Sequence, residues 1–405
     1  MPVKRLTLFL VGFFFLNPHL SKSQTLQTGS WQGNIHYDAV EVPFRFDLAK
    51  DEKGKISATI INGDERIIIN NIINRGDSLI IPLGVFDSEL RIKISGNVMT
   101  GEWHKNYRKT KGPLFTARYN SNRFTSFPVS PAVAVGDRLK MTLMQPNGVS
   151  TNALGLFSQD NNYITGTILT EVGDYRYFEG LVNGDSLVVS SFDGVHAFLL
   201  TGSYNDGKWK GVLYYEPGYS EHWEGWQDNA FNLIDPFEVM TVEPGSVKPY
   251  YDILTAGGTY NAIDADSLQG KVVIIQLMGT WCPNSLDQTH FLTTWAKENQ
   301  DKKIAIIAVD YEPGDKLYAE KRIDSYKKML KVPYSMFIGG SMSKGQAALA
   351  FPNMERINAF PTLVIIDKKG FIRYMSSYFN GPATGVFYNE FVKEFNEKID
   401  ALLAE

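Results

Sequence analysis

The stretch Val272-Val273-Ile274-Ile275-Gln276-Leu277-Met278-Gly279-Thr280-Trp281-Cys282-Pro283-Asn284-Ser285 decides how the second half of this chain folds. Its opening run is near-continuously apolar, the pattern of a strand buried on both faces. Gly279-Thr280 breaks the run. Pro283 then presets a helix to about Glu298, with Leu286, Phe291, Leu292 and Trp295 turned inward. Cys282 sits at the junction. A sulfur there faces unpaired backbone N–H groups and the positive end of the helix dipole. Both favour thiolate over thiol, and the thiolate is the nucleophile in disulfide exchange. A buried, inert cysteine is the plain alternative.

Downstream, strand and helix patterns alternate. Residues 304–309 form a second buried strand, Lys316–Leu330 a helix, 334–338 a short strand and 344–351 a further helix. Residues 363–366 form a third long strand that turns at Asp367-Lys368-Lys369-Gly370 into 371–374. Residues 385–404 close the chain as an amphipathic helix with Phe387, Phe391, Phe395, Ile399 and Leu402 on one stripe. This order specifies an α/β sandwich.

Upstream the pattern is different. From 24 to 243 the chain reads as strands, with period-two alternation at Phe44-Arg45-Phe46-Asp47-Leu48 and turn pairs at Asn62-Gly63, Asn147-Gly148, Asn183-Gly184 and Asp206-Gly207. An internal repeat is visible. Gly76-Asp77-Ser78-Leu79 returns as Gly184-Asp185-Ser186-Leu187, and Phe86 precedes Gly96 and Trp103 by the same ten and seventeen residues that separate Phe192 from Gly202 and Trp209. We expect a duplicated meander, closed into a barrel or packed as a sandwich. In Gly173-Asp174-Tyr175-Arg176-Tyr177-Phe178-Glu179-Gly180 the charges are expected on a solvated face, with a polar site built from Asp174, Arg176 and Glu179 as the alternative. His196 has no neighbour at metal-ligand spacing and reads as structural. The boundary is placed at Pro244-Gly245, so the chain divides into 24–243 and 244–405.

The chain has 405 residues, 43% apolar and 21% charged, with net charge −4. No positive excess marks a nucleic-acid binder. One cysteine excludes an internal disulfide and thiolate-rich zinc sites, and no metal or cofactor is expected. Lys4 and Arg5 followed by an eleven-residue apolar run, Leu6 to Leu16, and by Ser21-Lys22-Ser23 read as a signal peptide over 1–23. The run is too short to span a membrane, and no cysteine stands at the cut to carry lipid. Its removal takes away three basic residues and no acidic one, moving the charge from −4 to −7. A periplasmic protein without a membrane anchor is expected, and in that oxidising setting a lone thiol is unusual.

The turn Trp281-Cys282-Pro283-Asn284-Ser285 resembles the Trp-Cys-x-x-Cys site of thioredoxin-fold proteins, and Phe360-Pro361-Thr362 resembles their cis-proline loop. The insert of about fifty residues between Asp310 and Pro361, and Gly381-Pro382-Ala383-Thr384-Gly385, resemble the secreted TlpA-like and redoxin thiol–disulfide oxidoreductases. The resemblance implies that Cys282 attacks a partner disulfide and that Trp281 flanks the sulfur. It also implies that a cis Pro361 packs near Cys282, with Pro283, Phe360 and Thr362 in the substrate-binding wall and the Phe360 backbone free to pair with a peptide.

Two positions depart from the family. Ser285 stands where the resolving cysteine belongs, and a hydroxyl cannot displace a mixed disulfide. Gln276 replaces the buried acid six residues before the cysteine, and His290, about 12 Å further along the helix, is too far to act as a direct base. Four readings follow. They are a monothiol oxidoreductase or isomerase resolved by a second thiol on a protein or small molecule, a redox-inactive module that binds peptides or partner proteins, a thiol peroxidase, and a small-ligand carrier with the β half as its cup. The peroxidase motif Pro-x-x-x-Thr-x-x-Cys would need proline and threonine where Ile275 and Gly279 stand.

Overall fold

The computed structural model describes residues 26–124, 129–239, 247–255, 263–352 and 357–405. The expected signal peptide and the expected boundary at Pro244-Gly245 lie outside these residues.

The β half contains two meanders. The first comprises β1 (Gly29–His36), β2 (Glu41–Lys50), β3 (Ile56–Asn62), β4 (Glu65–Ile69), β5 (Ile73–Asn74), β6 (Ser78–Pro82), β7 (Ser88–Ser95), β8 (Val98–Lys105) and β9 (Leu114–Tyr119). Each pairs with its sequence neighbour except at β4/β5, and β1 pairs with β9, giving a barrel with one seam. The second comprises β10 (Arg138–Met144), β11 (Ser150–Asp160), β12 (Tyr163–Thr170), β13 (Gly173–Asp174), β14 (Phe178–Asn183), β15 (Ser186–Phe192), β16 (Ala197–Asn205), β17 (Lys208–Glu216) and β18 (Tyr219–Gln227). Here the β11–β12 and β10–β18 pairings close the ring, and only the two-residue β13, paired to β12 alone, keeps an open side.

Alternation produces these sheets. In β7, Leu90, Ile92 and Ile94 point into the core while Glu89, Arg91 and Lys93 face outward. The β16–β17 hairpin turns at Asp206 and Gly207, both at positive φ (51° and 79°), the geometry whose twist matches the flanking strands.

The repeat is one of topology rather than of the intervals read from sequence. Leu79 and Leu187 open equivalent strands, and Trp103 and Trp209 lie on equivalent strands. Gly96, however, is in the β7–β8 turn, whereas Gly202 lies inside β16, paired with Gly211. Strand β16 starts five residues after Phe192, whereas β7 starts two after Phe86, and this later start moves the turn away from the matching position.

Phe44, Phe46, Phe115, Trp31 and Trp103 fill the first barrel, and Trp209, Trp223, Phe157, Phe178 and Met141 fill the second. The cup that the carrier reading requires is therefore occupied by protein. The barrels pack side by side through Phe192, Ala197 and Leu199, with reciprocal bonds between the Asn62 side chain and the Phe192 backbone (2.9 and 3.1 Å).

The C-terminal half has α1 (Tyr251–Leu254), β19 (Val272–Met278), α2 (Pro283–Glu298), β20 (Ile304–Glu312), α3 (Lys316–Leu330), β21 (Ser335–Ser341), α4 (Lys344–Ala348), β22 (Thr362–Ile366), β23 (Ile372–Ser376) and α5 (Val386–Ala404). The sheet order is β21-β20-β19-β22-β23, with β19, β20 and β21 parallel and β22 and β23 antiparallel. Every residue of β19 is buried, as a central strand between helical layers requires. Helix α5 buries Phe391, Phe395, Ile399 and Leu402, but Phe387 leaves the expected stripe and lies under the Arg138 guanidinium at 5.2 Å. Val85, Phe86 and Val195 of the β half share one apolar cluster with α2 and α5, so the halves are packed together.

Candidate active site

Strand β19 delivers the chain to a turn, Gly279-Thr280-Trp281, and Cys282 becomes the N-cap of α2 with extended φ/ψ (−99°, 120°). Pro283 occupies the first turn, where its missing N–H costs nothing. The Phe360–Pro361 peptide is cis, as expected. Cys282 Sγ lies 3.2 Å from the Phe360 carbonyl oxygen, to which its S–H donates. Trp281 donates its indole N–H to the Tyr311 carbonyl (2.8 Å) and meets Phe360 edge-on at 6.2 Å. Thr362 Oγ1 donates to Ala359 O at 2.8 Å, bracing the proline loop. Trp281, Cys282, Pro283, Phe360, Pro361 and Thr362 thus come together.

The thiol does not behave as expected. Cys282 is 7% exposed, and burial pushes its pKa up. The Ser285 hydroxyl and the free N–H groups of Asn284 and Ser285 pull the other way and lose. Desolvation of a charge outweighs what a helix terminus supplies. The Phe360 carbonyl, expected to be open to a peptide, is already used by the sulfur.

Ser285 is fully buried, one turn inside α2, and Gly279 N reaches its Oγ only at 3.5 Å. Gln276 is also fully buried. Its amide donates to Ser285 O (3.3 Å) and Thr289 Oγ1 (3.1 Å), so the place of an acid is taken by a neutral hydrogen-bonded spacer. His290 faces outward and is exposed.

The acids stand elsewhere. Thr280 N–H donates to Asp310 Oδ1 (3.0 Å) and Glu312 Oε1 (2.9 Å), both fully buried at the end of β20. Burial raises both pKa values, and the Glu312 charge raises Asp310 further, so the pair holds one proton. Arg322 donates to Thr280 Oγ1 (3.2 Å) and to the Val85 carbonyl, linking this corner to the first barrel.

The second barrel supplies a larger part that sequence reasoning placed wrongly. Asp174, Arg176 and Glu179 do not lie on a solvated face but are all buried. Arg176 pairs with Glu65 of the first barrel and, at 3.0 Å, with Asp287 of α2, and donates to the Pro283 carbonyl at 3.1 Å. It does so from the left-handed region (φ 57°), a conformation costing about 1–2 kcal/mol that these contacts sustain. Asp174 Oδ2 accepts from Asn284 Nδ2 (3.1 Å) and Gly381 N (2.8 Å), bridging α2 and the loop after β23. A Cβ on Gly173 would lie 2.9 Å from Asn284 Oδ1, so only glycine permits this approach. Three acids surround one guanidinium, and burial, with Asp174 and Glu65 adding, pushes Asp287 up to about 7 against the pull of Arg176. Charge at turn positions beside aromatics was the available signal, and alternation misassigned it because β13–β14 is interrupted by a left-handed residue. His196 is structural, with Nδ1 3.3 Å from Asp193 Oδ2 and its ring stacked on Phe198.

Residues 249–375 match the AhpC/TSA family. No curated protein matches the chain. Among solved structures, a putative protein disulfide isomerase from Bacteroides thetaiotaomicron is 20% identical over 42% of this chain and 93% of its own, at TM-score 0.29. A thiol:disulfide interchange protein from Chlorobium tepidum TLS is 17% identical over 40% and 99%, at 0.29. A secreted thiol-disulfide isomerase from Corynebacterium glutamicum is 15% identical over 35% and 77%, at 0.27. Sheet order, the cysteine capping α2 and the cis proline facing it give the C-terminal half of this chain a thioredoxin fold, and residues 249–375 within it are similar to the AhpC/TSA family.

Proposed function

We propose that this protein is an exported, periplasmic monothiol member of the thiol–disulfide oxidoreductases, made of a β-rich part (24–243) and a redoxin part (244–405) behind a cleaved leader. It forms mixed disulfides through Cys282 with disulfide- or thiol-bearing proteins. The observation that carries the reading is the lone sulfur capping α2 at 3.2 Å from the carbonyl preceding the cis proline, with Ser285 in the second-thiol position. In the step, Cys282 loses its proton and its sulfur attacks one sulfur of the partner disulfide. A new S–S bond forms, the old one breaks, and the departing thiolate takes up a proton. Release requires a second thiol, on the partner or a small molecule.

The experiment is incubation of the full chain with glutathione disulfide, read by intact mass. A single glutathione adduct, absent in Cys282→Ser and removed by added reduced glutathione, is expected. No adduct would refute exchange.

A second reading has its own support. The raised thiol pKa and the polar clasp over α2 favour a redox-inactive module that binds partner proteins. Partner capture that survives Cys282→Ser would select it. A thiol peroxidase has less support, since Ile275 and Gly279 supply neither the proline nor the hydroxyl of a peroxidatic site.

A further inference from the structure

The two barrels leave a cavity of about 410 Å³ between them, away from Cys282, at the end of β1 and β8 and against the β17–β18 turn. Its inner wall is aromatic, formed by Trp103, Tyr37 and Tyr215. Lys105, the last residue of β8, projects into it. Its Nζ stands 4.7 Å above the Trp103 ring, and this ammonium makes no ion pair or hydrogen bond among the described residues. Arg108 and Lys111, both exposed, add two cations at the mouth. The acids that line it, Asp38 and Glu216, are also exposed and pair with none of the three.

A half-buried ammonium without a counter-ion is costly. Burial is the leading cause that brings the Lys105 pKa down to about 8, with Arg108 adding and Glu216 opposing. An anion entering the cavity would remove that cost, and the aromatic wall would accept an apolar body behind the charge. The phenol of Tyr37 is already committed, donating to Ala197 O (2.9 Å), so the wall offers surface rather than competing donors.

We propose that this inter-barrel cavity binds a small organic anion, its carboxylate or sulfonate set against Lys105 and its apolar body against Trp103 and Tyr215. The site is separate from the thiol, and it differs from a barrel-interior cup, which side chains fill.

The test titrates the full chain with anilinonaphthalene sulfonate, followed by fluorescence, with benzoate and the neutral benzamide as competitors. Saturable one-to-one binding displaced by benzoate, but not by benzamide, is expected. Lys105→Met should weaken it by about tenfold or more while the thermal midpoint stays nearly unchanged, because the Lys105 ammonium makes no ion pair or hydrogen bond among the described residues and a methionine stem still covers Trp103. Arg108→Gln, at an exposed position, should weaken it less. Binding unchanged in Lys105→Met, equal displacement by benzamide, or no saturable binding at all would overturn the proposal. Should Lys105→Met fail to fold, Arg108→Gln combined with Lys111→Gln carries the same test, with unchanged binding counting against it.

Discussion

The Arg176 guanidinium lies 3.0 Å from the Asp287 carboxylate, so a residue of the second barrel is ion-paired to the helix that begins at Cys282. Asp174 adds a bridge from the same corner to Asn284 and to Gly381 on the loop after β23. The β half therefore grips both the first turns of α2 and the loop after β23, and access to the sulfur is expected to depend on that grip.

Removing Arg176 tests the dependence. Arg176→Met leaves Glu65 and Asp287 buried without their cation, which costs about 3–5 kcal/mol when one partner of a buried pair is lost. The clasp should loosen, and iodoacetamide should label Cys282 about tenfold faster or more at pH 8, as expected when a local opening of this size becomes accessible. In the intact protein the pH dependence of labelling should give an apparent thiol pKa above about 8.5. Loss of stability with an unchanged labelling rate would mean that the barrel does not govern access.

Restoring a second thiol tests what Ser285 withholds. Ser285→Cys places a sulfur one turn into α2, beside Cys282. Insulin reduction driven by the pre-reduced protein alone should appear in this variant and be absent in the natural chain. Oxidation should lower its intact mass by two hydrogens. Gln276 remains in place of an acid, so the gained activity should be slow at neutral pH.

Asp287 makes stability depend on pH with a definite sign. Its pKa is raised from 3.8 to about 7, so the folded protein keeps a proton that the unfolded chain has released. Stability therefore falls as pH rises between about 4 and 7, by up to about 4 kcal/mol from this group. Urea unfolding at pH 4.5 and 7.5 should show the fall, and Asp287→Asn should flatten it. A slope unchanged in the variant would contradict the assignment.

The acid pair beneath Thr280 gives a second pH effect. Asp310→Asn mimics the protonated acid, since an amide oxygen can still accept from Thr280 N while its NH₂ donates to Glu312. The variant should match the natural protein near pH 5 and exceed it by about 1–3 kcal/mol near pH 8, because the unfolded chain releases the proton that the folded native pair keeps. Chemical denaturation at the two pH values reads the difference directly.

Much of this was legible in the chain. The apolar run 272–278, Pro283 after Cys282 and the stripe of α5 set the strand, the cap and the terminal helix, because burial periodicity and backbone restriction act locally. Turn pairs and alternation did the same for the meanders, while the repeat intervals failed because the strand after Phe192 begins three residues later than the strand after Phe86, which no turn motif signals. The sequence by itself determined which groups are present: one thiol, no second cysteine, and an amide at Gln276. Only the tertiary structure decided how that sulfur is held. Its protonation follows from desolvation, and its surroundings from Asp174 and Arg176, more than a hundred residues away in the chain. Electrostatics depends on distance in space and on water excluded, and neither is encoded in spacing along a chain.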